Sequence, residues 1–192
     1  VIASGPSLTA QQASAAAGSG ARTVVVNGSW NLLHDADVLF ALDYLYWKTN
    51  IATIRRRFRG ALWTTDNSSR ERFALNRWPG TYAAGLSRTL VHTCGNSGCG
   101  AIGLACCFGA RRILLLGFDM RLGDDGAKHW HADHPAPLVQ AQDFKGVIHK
   151  TKKMAEDAKA LGVDIVNCSP GSATPYFRRS TLQDELPCTL PA

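Results

Sequence analysis

Apolar residues in this chain fall into short runs separated by longer polar or amphipathic stretches. Residues 1–4 make a brief apolar start that breaks at Gly5-Pro6. Residues 9–17 are rich in Ala and Gln and predict a helix, with Ser7 or Thr9 as its cap. Residues 23–26 are a β-branched run that ends on the turn pair Asn27-Gly28. Residues 38–42 form a third run, followed by an amphipathic stretch over 43–57. A fourth strand is predicted at 61–64, and the polar stretch 66–80 reads as loop or short helix. Residues 98–108 are small or apolar all round, as in a buried helix ended by Gly109. Residues 112–116, apolar throughout after Arg112, have the pattern of a central strand. The polar stretch 117–142 has 26 residues, too many for a plain connection, and predicts a lid over about 118–142. A helix over 143–161, closed by Gly162, and a strand over 163–166 complete the pattern.

Strands that alternate with helices predict an α/β fold with a mostly parallel sheet flanked by helices. The length of 192 residues suits a single domain over 1–192 of Rossmann-like type. No apolar run approaches the ~20 residues that span a bilayer, and no leader pattern opens the chain. Six cysteines without a C-x-x-C pair read as reduced thiols in a cytoplasmic protein. The net charge of +6 draws partly on Arg55, Arg56, Arg57 and Arg59. Such a surface attracts phosphates, although arginines also stabilise the last turn of a helix.

Ligands of wound sheets lie beyond the carboxyl ends of the strands, so polar residues there are the site candidates. Ser4-Gly5-Pro6-Ser7 turns from the first strand into a helix and predicts free backbone N–H groups for a phosphate. Asn27, Asp43, Asp119 and Asn167 each follow a predicted strand. Ser97-Gly98 opens the buried helix, with Ser97 as its cap. His129-Trp130-His131-Ala132-Asp133-His134 places three imidazoles in the predicted lid, where a His suits general-base work near neutral pH. That string also matches the H-x-H-x-D-H zinc pattern of the metallo-β-lactamase fold. That fold is a β-sandwich needing a further distant His, and the alternation here argues against it. A local metal site remains an alternative role for the three histidines.

In order and spacing these pieces resemble the bacterial sialyltransferases that modify lipooligosaccharide, and related proteins, many of them phage-encoded. The shared marks are Gly5-Pro6-Ser7, Asn27, Ser97-Gly98, the strand ending Gly117-Phe118-Asp119, the His-bearing lid and Cys168-Ser169-Pro170-Gly171-Ser172. The resemblance implies a glycosyltransferase-like enzyme with a nucleotide-activated, CMP-sugar-like donor. Ser4, Gly5, Ser7, Asn27, Asp43, Ser97, Gly98 and Asp119 would then bind the nucleotide. A lid His would be general base on an acceptor hydroxyl, His134 matching best by spacing and His129 and His131 being rivals. The family's lid tyrosines have no counterpart here, and Arg121 and Lys128 stand nearby to hold the leaving phosphate. Cys94 stands near where the family has an Arg, and Asp43 where it has an Asn. The acceptor would be a glycan or a modified nucleic acid, and a homo-oligomer is compatible with this reading. No cofactor is firmly expected. Related proteins include a pterin diphosphokinase-like group, which implies an alternative: pyrophosphoryl or nucleotidyl transfer with a divalent metal on Asp119, Asp124 and Asp125. A non-catalytic nucleic-acid-binding or phage assembly protein is the third reading.

Overall fold

A computed structural model describes residues 1–132 and 143–186. The chain alternates strands and helices, and every strand pairing among the described residues is parallel. Helix α1 (Ala10–Gly18) is followed by β1 (Val24–Val26), a 3-10 turn (Asn27–Asn31) and β2 (Val38–Phe40). Then come α2 (Tyr44–Arg57), β3 (Ala61–Thr64), α3 (Asn67–Phe73), β4 (Asn76–Arg77), β5 (Gly80–Thr81) and β6 (Val91–His92). The second half holds α4 (Ser97–Cys107), β7 (Arg112–Leu115), α5 (Phe144–Ala160), β8 (Asp164–Asn167), β9 (Arg178–Arg179) and α6 (Leu182–Glu185).

Two sheets, ordered β1-β2-β3-β4 and β7-β8-β9, are joined by the amino-terminal segment. Ile2 bridges Val25 on one side and Leu116 on the other, both in parallel. Its N–H donates to the Val24 carbonyl at 2.8 Å, and the Leu116 N–H donates to the Val1 carbonyl at 2.9 Å. The first segment of the chain therefore lies in the middle. The chain winds outward from it through β1 to β4, then returns to its other side at β7. The order reverses between the amino-terminal segment and β7, and a crevice opens where that happens in parallel sheets.

Both faces of the sheet are covered, which is why its strands read as continuous apolar runs rather than alternating ones. Val25, Leu39, Leu116 and Val166 pack with Ala13 of α1 and Trp47 and Ile54 of α2. Their neighbours Val24, Val26, Val38 and Phe40 turn to Ala101 and Leu104 of α4, while Ile113, Leu115 and Ile165 meet Ile102 of α4 and Met154 and Ala158 of α5. Helix α1 begins with a capping box of Thr9 and Gln12, so Thr9, of the two candidates, is the cap.

Residues 133–142, with His134 and Asp133, and residues 187–192, with Cys188, lie outside the described residues. The expectation of a His-rich lid can thus be followed only through residue 132. That part is tied down: the Trp130 N–H donates to the Ser4 carbonyl at 3.2 Å and its indole to Ser29 Oγ at 3.3 Å. Cys94, Cys99, Cys106, Cys107 and Cys168 are free thiols. No helix among the described residues is long and apolar enough to cross a membrane.

Candidate functional site

A cleft of about 350 Å³ opens at the carboxyl ends of the amino-terminal segment, β1, β2 and β7. Ser4, Gly5, Asn27, Asp43, Ser97, Gly98, Asp119, Arg121, Lys128 and His129 all line it. These come from five separate stretches of sequence, and the parallel winding brings their ends together.

Asp119 is the centre of the arrangement, and the chain spends several groups on holding it. The Ser7 N–H donates to its Oδ1 at 3.2 Å. A methyl group on Gly5 would collide with its carboxylate and stand 2.5 Å from the Gly117 carbonyl, so only glycine permits this approach. Behind it, the Phe118 N–H donates to Ser169 Oγ at 2.7 Å, and Ser172 Oγ donates to the Phe118 carbonyl at 2.8 Å. The Ala173 N–H donates to the Asp119 carbonyl at 2.7 Å. Burial pushes the Asp119 carboxyl above its ordinary range, against the opposing pull of Ser7 and Arg121.

Four buried oxygens at this end of the sheet have no hydrogen-bond partner among the described residues: Asp119 Oδ2, Asn27 Oδ1, Ser7 Oγ and Tyr46 Oη. Buried polar atoms are normally paired, so those that face the cleft are groups a ligand can satisfy. Asn27 also holds a left-handed backbone (φ 47°), which Asn tolerates better than most residues. Asp43 sits at the cap position of α2 without bonding the helix, which leaves its carboxylate to the cleft. Cations enter from two directions. Arg121 and Lys128 come from the connection after β7, and Lys150 comes from α5, where its Nζ donates to the Cys94 carbonyl at 3.1 Å.

The structure corrects the expected phosphate cradles. The Gly5 N–H is spent on the Gly117 carbonyl (2.8 Å), the Ser7 N–H on Asp119 and the Leu8 N–H on the Gly5 carbonyl (3.1 Å). At α4 the cap is Asn96, not Ser97: Asn96 Oδ1 accepts from the Gly98 and Cys99 N–H groups at 2.8 and 3.2 Å. Ser97 instead places its hydroxyl 3.4 Å from the Leu42 N–H. Neither turn offers the array of free N–H groups that a helix terminus lends to a phosphate.

Other expectations change as well. Asn167 turns inward rather than into the cleft, donating to Ser172 Oγ at 2.9 Å and accepting the Ser169 N–H at 3.0 Å. It belongs to the clamp behind Asp119. Ser7 does not line the cleft and acts on it through Asp119. His131 packs on the 3-10 turn, its Nε2 standing 2.9 Å from where a Gly28 side chain would begin, and its Nδ1 is 2.6 Å from the Ala132 carbonyl. Among the described residues His129 is the histidine that lines the cleft, with its ring stacked on His131 at 5.1 Å. Asp124 pairs with Arg121 at 3.0 Å and Asp125 accepts the Ala127 N–H, so neither joins Asp119. Among the described residues no three His, Cys, Asp or Glu side chains are gathered to hold a metal.

The sequence reading missed Tyr46, Tyr82, Cys94, Asn96, Asp143, Val147 and Lys150, all in the cleft wall. For α5 the signal was present. Positions 143, 147 and 150 follow the i, i+4, i+7 rule and share one helix face. Cys94 and Gly95 both take left-handed backbone (φ 53° and 75°) in a tight turn closed by the Asn96 N–H on the Thr93 carbonyl at 2.7 Å. The Cys94 thiol is held below its ordinary range by a hydrogen bond from Cys99, with Lys150 adding to the effect.

No protein-family model, curated protein or solved structure matches this chain.

Proposed function

We propose that the sheet is of Rossmann-like, doubly wound type and that its cleft binds a nucleotide-activated sugar for transfer to an acceptor hydroxyl. The observation that carries this reading is the pairing of two opposite chemistries in one cleft at the point where the strand order reverses. Partnerless acceptor oxygens on Asn27 and Asp119 suit the N–H and O–H donors of a base, a ribose or a sugar. Arg121, Lys128 and Lys150 suit its phosphates. A cleft of about 350 Å³ also lies in the range of small-molecule sites.

In this reading the acceptor oxygen attacks the anomeric carbon and the bond from that carbon to the phosphate oxygen breaks. The nucleotide leaves with the bonding electron pair, its charge held by Arg121, Lys128 and Lys150 in an electrostatic role suited to fixed cations. The acceptor's proton passes to a histidine. His129 is the described candidate, and His134 keeps its assignment by resemblance but lies outside the described residues. The metal-dependent alternative is the weaker one, because its proposed ligands Asp119, Asp124 and Asp125 stand apart.

The test is a thermal-shift panel of nucleoside mono- and diphosphates and their sugar conjugates. A ligand at about 100 times its Kd adds ~2.7 kcal/mol of stability. Ser97→Trp fills the cleft and is expected to abolish the shift while the protein stays folded. The reading fails if no nucleotide shifts the wild type, or if Ser97→Trp binds the best nucleotide unchanged.

A further inference from the structure

The net charge of this protein is not spread over it. Residues 51–78 hold seven arginines, no lysine and two carboxylates, a net +5 of the chain's +6. Arg55, Arg56, Arg57, Arg59, Arg70, Arg72 and Arg77 are all exposed. Arg55, Arg56 and Arg57 are in the last turn of α2, Arg59 just follows it, Arg70 and Arg72 are in α3, and Arg77 is on the edge strand β4. The two carboxylates have local duties: Asp66 caps α3 through the Ser69 N–H at 2.6 Å, and Glu71 accepts from Asn67 at 2.7 Å.

The elements that carry these arginines pack side by side, α2 on α3 and α3 on β4. Arg55 reaches across to the Phe73 carbonyl at 2.5 Å, tying the end of α2 to the end of α3. Arg77 Nε donates to the Thr65 carbonyl at 3.1 Å, fixing the edge strand. The Arg57 guanidinium lies 6.0 Å from the centre of the Trp30 ring. Helix α2 starts beside the cleft at Asp43, and a 14-residue helix is about 21 Å long, so its last turn lies well away from the cleft.

Helix-end stabilisation explains part of this pattern, because cations favour a helix C-terminus. It does not explain Arg77, which lies outside the helices, or the near absence of acids within 51–78, although Arg59 does pair with Asp35 at 3.0 Å. Like charges gathered on one surface repel each other, and a polyanion relieves that repulsion. Choosing Arg throughout favours two-pronged hydrogen bonding to phosphate oxygens over a diffuse positive charge. A membrane surface is the poorer match. Stable attachment needs an apolar anchor beside the basic cluster, and the exposed Tyr44 at the start of α2 packs its ring on Phe73 of α3 rather than standing free.

We propose that the α2–α3–β4 face binds the phosphodiester backbone of a nucleic acid. Recognition is by charge and shape rather than by base sequence. The surface is separate from the cleft and needs no nucleotide there.

The experiment uses fluorescence anisotropy of the full chain with labelled DNA and RNA duplexes of ~20 base pairs, over roughly 50–200 mM salt. Each neutralised phosphate contributes about −0.9 to the slope of log affinity against log salt, so about five contacts predict an affinity loss of ~10³-fold across that range. Arg56→Gln, Arg57→Gln and Arg72→Gln together are expected to lower affinity at least ~30-fold and to flatten the slope by about three. None of these three arginines is tied to a backbone carbonyl, so the fold is kept. The control is Lys145→Gln, Lys152→Gln and Lys159→Gln on α5, which removes the same charge elsewhere and is expected to keep affinity within about threefold of wild type. Tighter binding of one duplex identifies the kind of nucleic acid. Equal losses in the two triple variants overturn the proposal, as does a wild-type slope no steeper than about −1. Binding to phosphatidylserine vesicles with no binding to either duplex overturns it as well. The arginine variant should keep any nucleotide-induced thermal shift, which separates failure here from failure of the cleft reading.

Discussion

The cleft and the arginine face are both polar, and they are built on opposite principles. In the cleft, polar groups are few, mixed in sign and held by the backbone. Asp119 alone is fixed by Ser7, by the Gly5 approach and by the clamp of Asn167, Ser169 and Ser172. Four oxygens there stay buried without partners among the described residues, each at a cost in stability. On the arginine face the groups are many, of one sign and exposed to water, where each costs little. In the proposed readings, the first arrangement would select the shape of a small ligand and the second would read the charge density of a large one. Substitutions in the cleft should therefore act singly and steeply, whereas those on the face should add up gradually and fade with salt.

The largest effect is expected at His129. If it takes the acceptor's proton, His129→Ala lowers turnover by ~10²–10⁴-fold while donor affinity holds. Steady-state kinetics with a matched donor and acceptor decide this. Turnover within tenfold of wild type moves the base assignment to a residue beyond those described.

Next in size is Gly5→Ala. The added methyl meets the Gly117 carbonyl and the Asp119 carboxylate, one of them backbone that cannot swing aside. The expected loss is about 3 kcal/mol, near the upper end for overpacking, or a fall of roughly 6–12 °C in Tm for a chain of this size. A loss below about 0.5 kcal/mol would mean that the loop and Asp119 are not locked together as described.

Asp119→Asn separates stability from function. The folded-state pKa of Asp119 is raised, so across the window above the ordinary carboxylate value the native state holds more protons than the unfolded one. Its contribution to stability then falls as pH rises through that window, and at neutral pH the ionised form is a burden. Asn keeps an oxygen for the Ser7 N–H and carries no charge. The variant should melt above wild type at pH 7, with the gap closing below about pH 4, while nucleotide affinity drops at least ~10-fold. A lower melting temperature at pH 7 would show that the carboxylate is a structural asset.

Much of the fold could be read from the chain because its central strands β1 and β2 are buried throughout and β7 and β8 nearly so. Residues 24–26, 38–40, 61–64, 112–115 and 164–167 are runs bounded by turns, and helix α5 follows its period from a clear start to Gly162. Strands β4, β5, β6 and β9 have two residues each, too few for any periodicity to show. The strand-end rule found Asn27, Asp43 and Asp119 because a parallel sheet puts all its carboxyl ends together. It misplaced Asn167 because a side chain at a strand end can turn either into the crevice or behind it, and only the partners Ser169 and Ser172 decide. It missed Lys150 because the residue reaches the cleft from the side of a helix far along the chain, not from a strand end.

The smallest expected effect tests the most consequential correction. Ser97 and Asn96 are adjacent and both are good cap residues, so the chain alone does not say which N–H groups of α4 stay free. In the structure Asn96 takes two of them, those of Gly98 and Cys99. Asn96→Ala should cost about 1 kcal/mol, the usual value of a lost cap. It also uncovers the Gly98 and Cys99 N–H groups at the wall of the cleft, where the partial positive charge of the helix end is strongest. If phosphates are held by Arg121, Lys128 and Lys150, the variant should bind a nucleotide at least as tightly as wild type despite its lower stability. If instead Asn96 touches the nucleotide directly, affinity should fall along with stability. Comparing the nucleotide-induced thermal shift with the change in unliganded Tm distinguishes the two. A larger shift on a less stable protein means that side chains, not the helix end, do the anion binding in the native cleft.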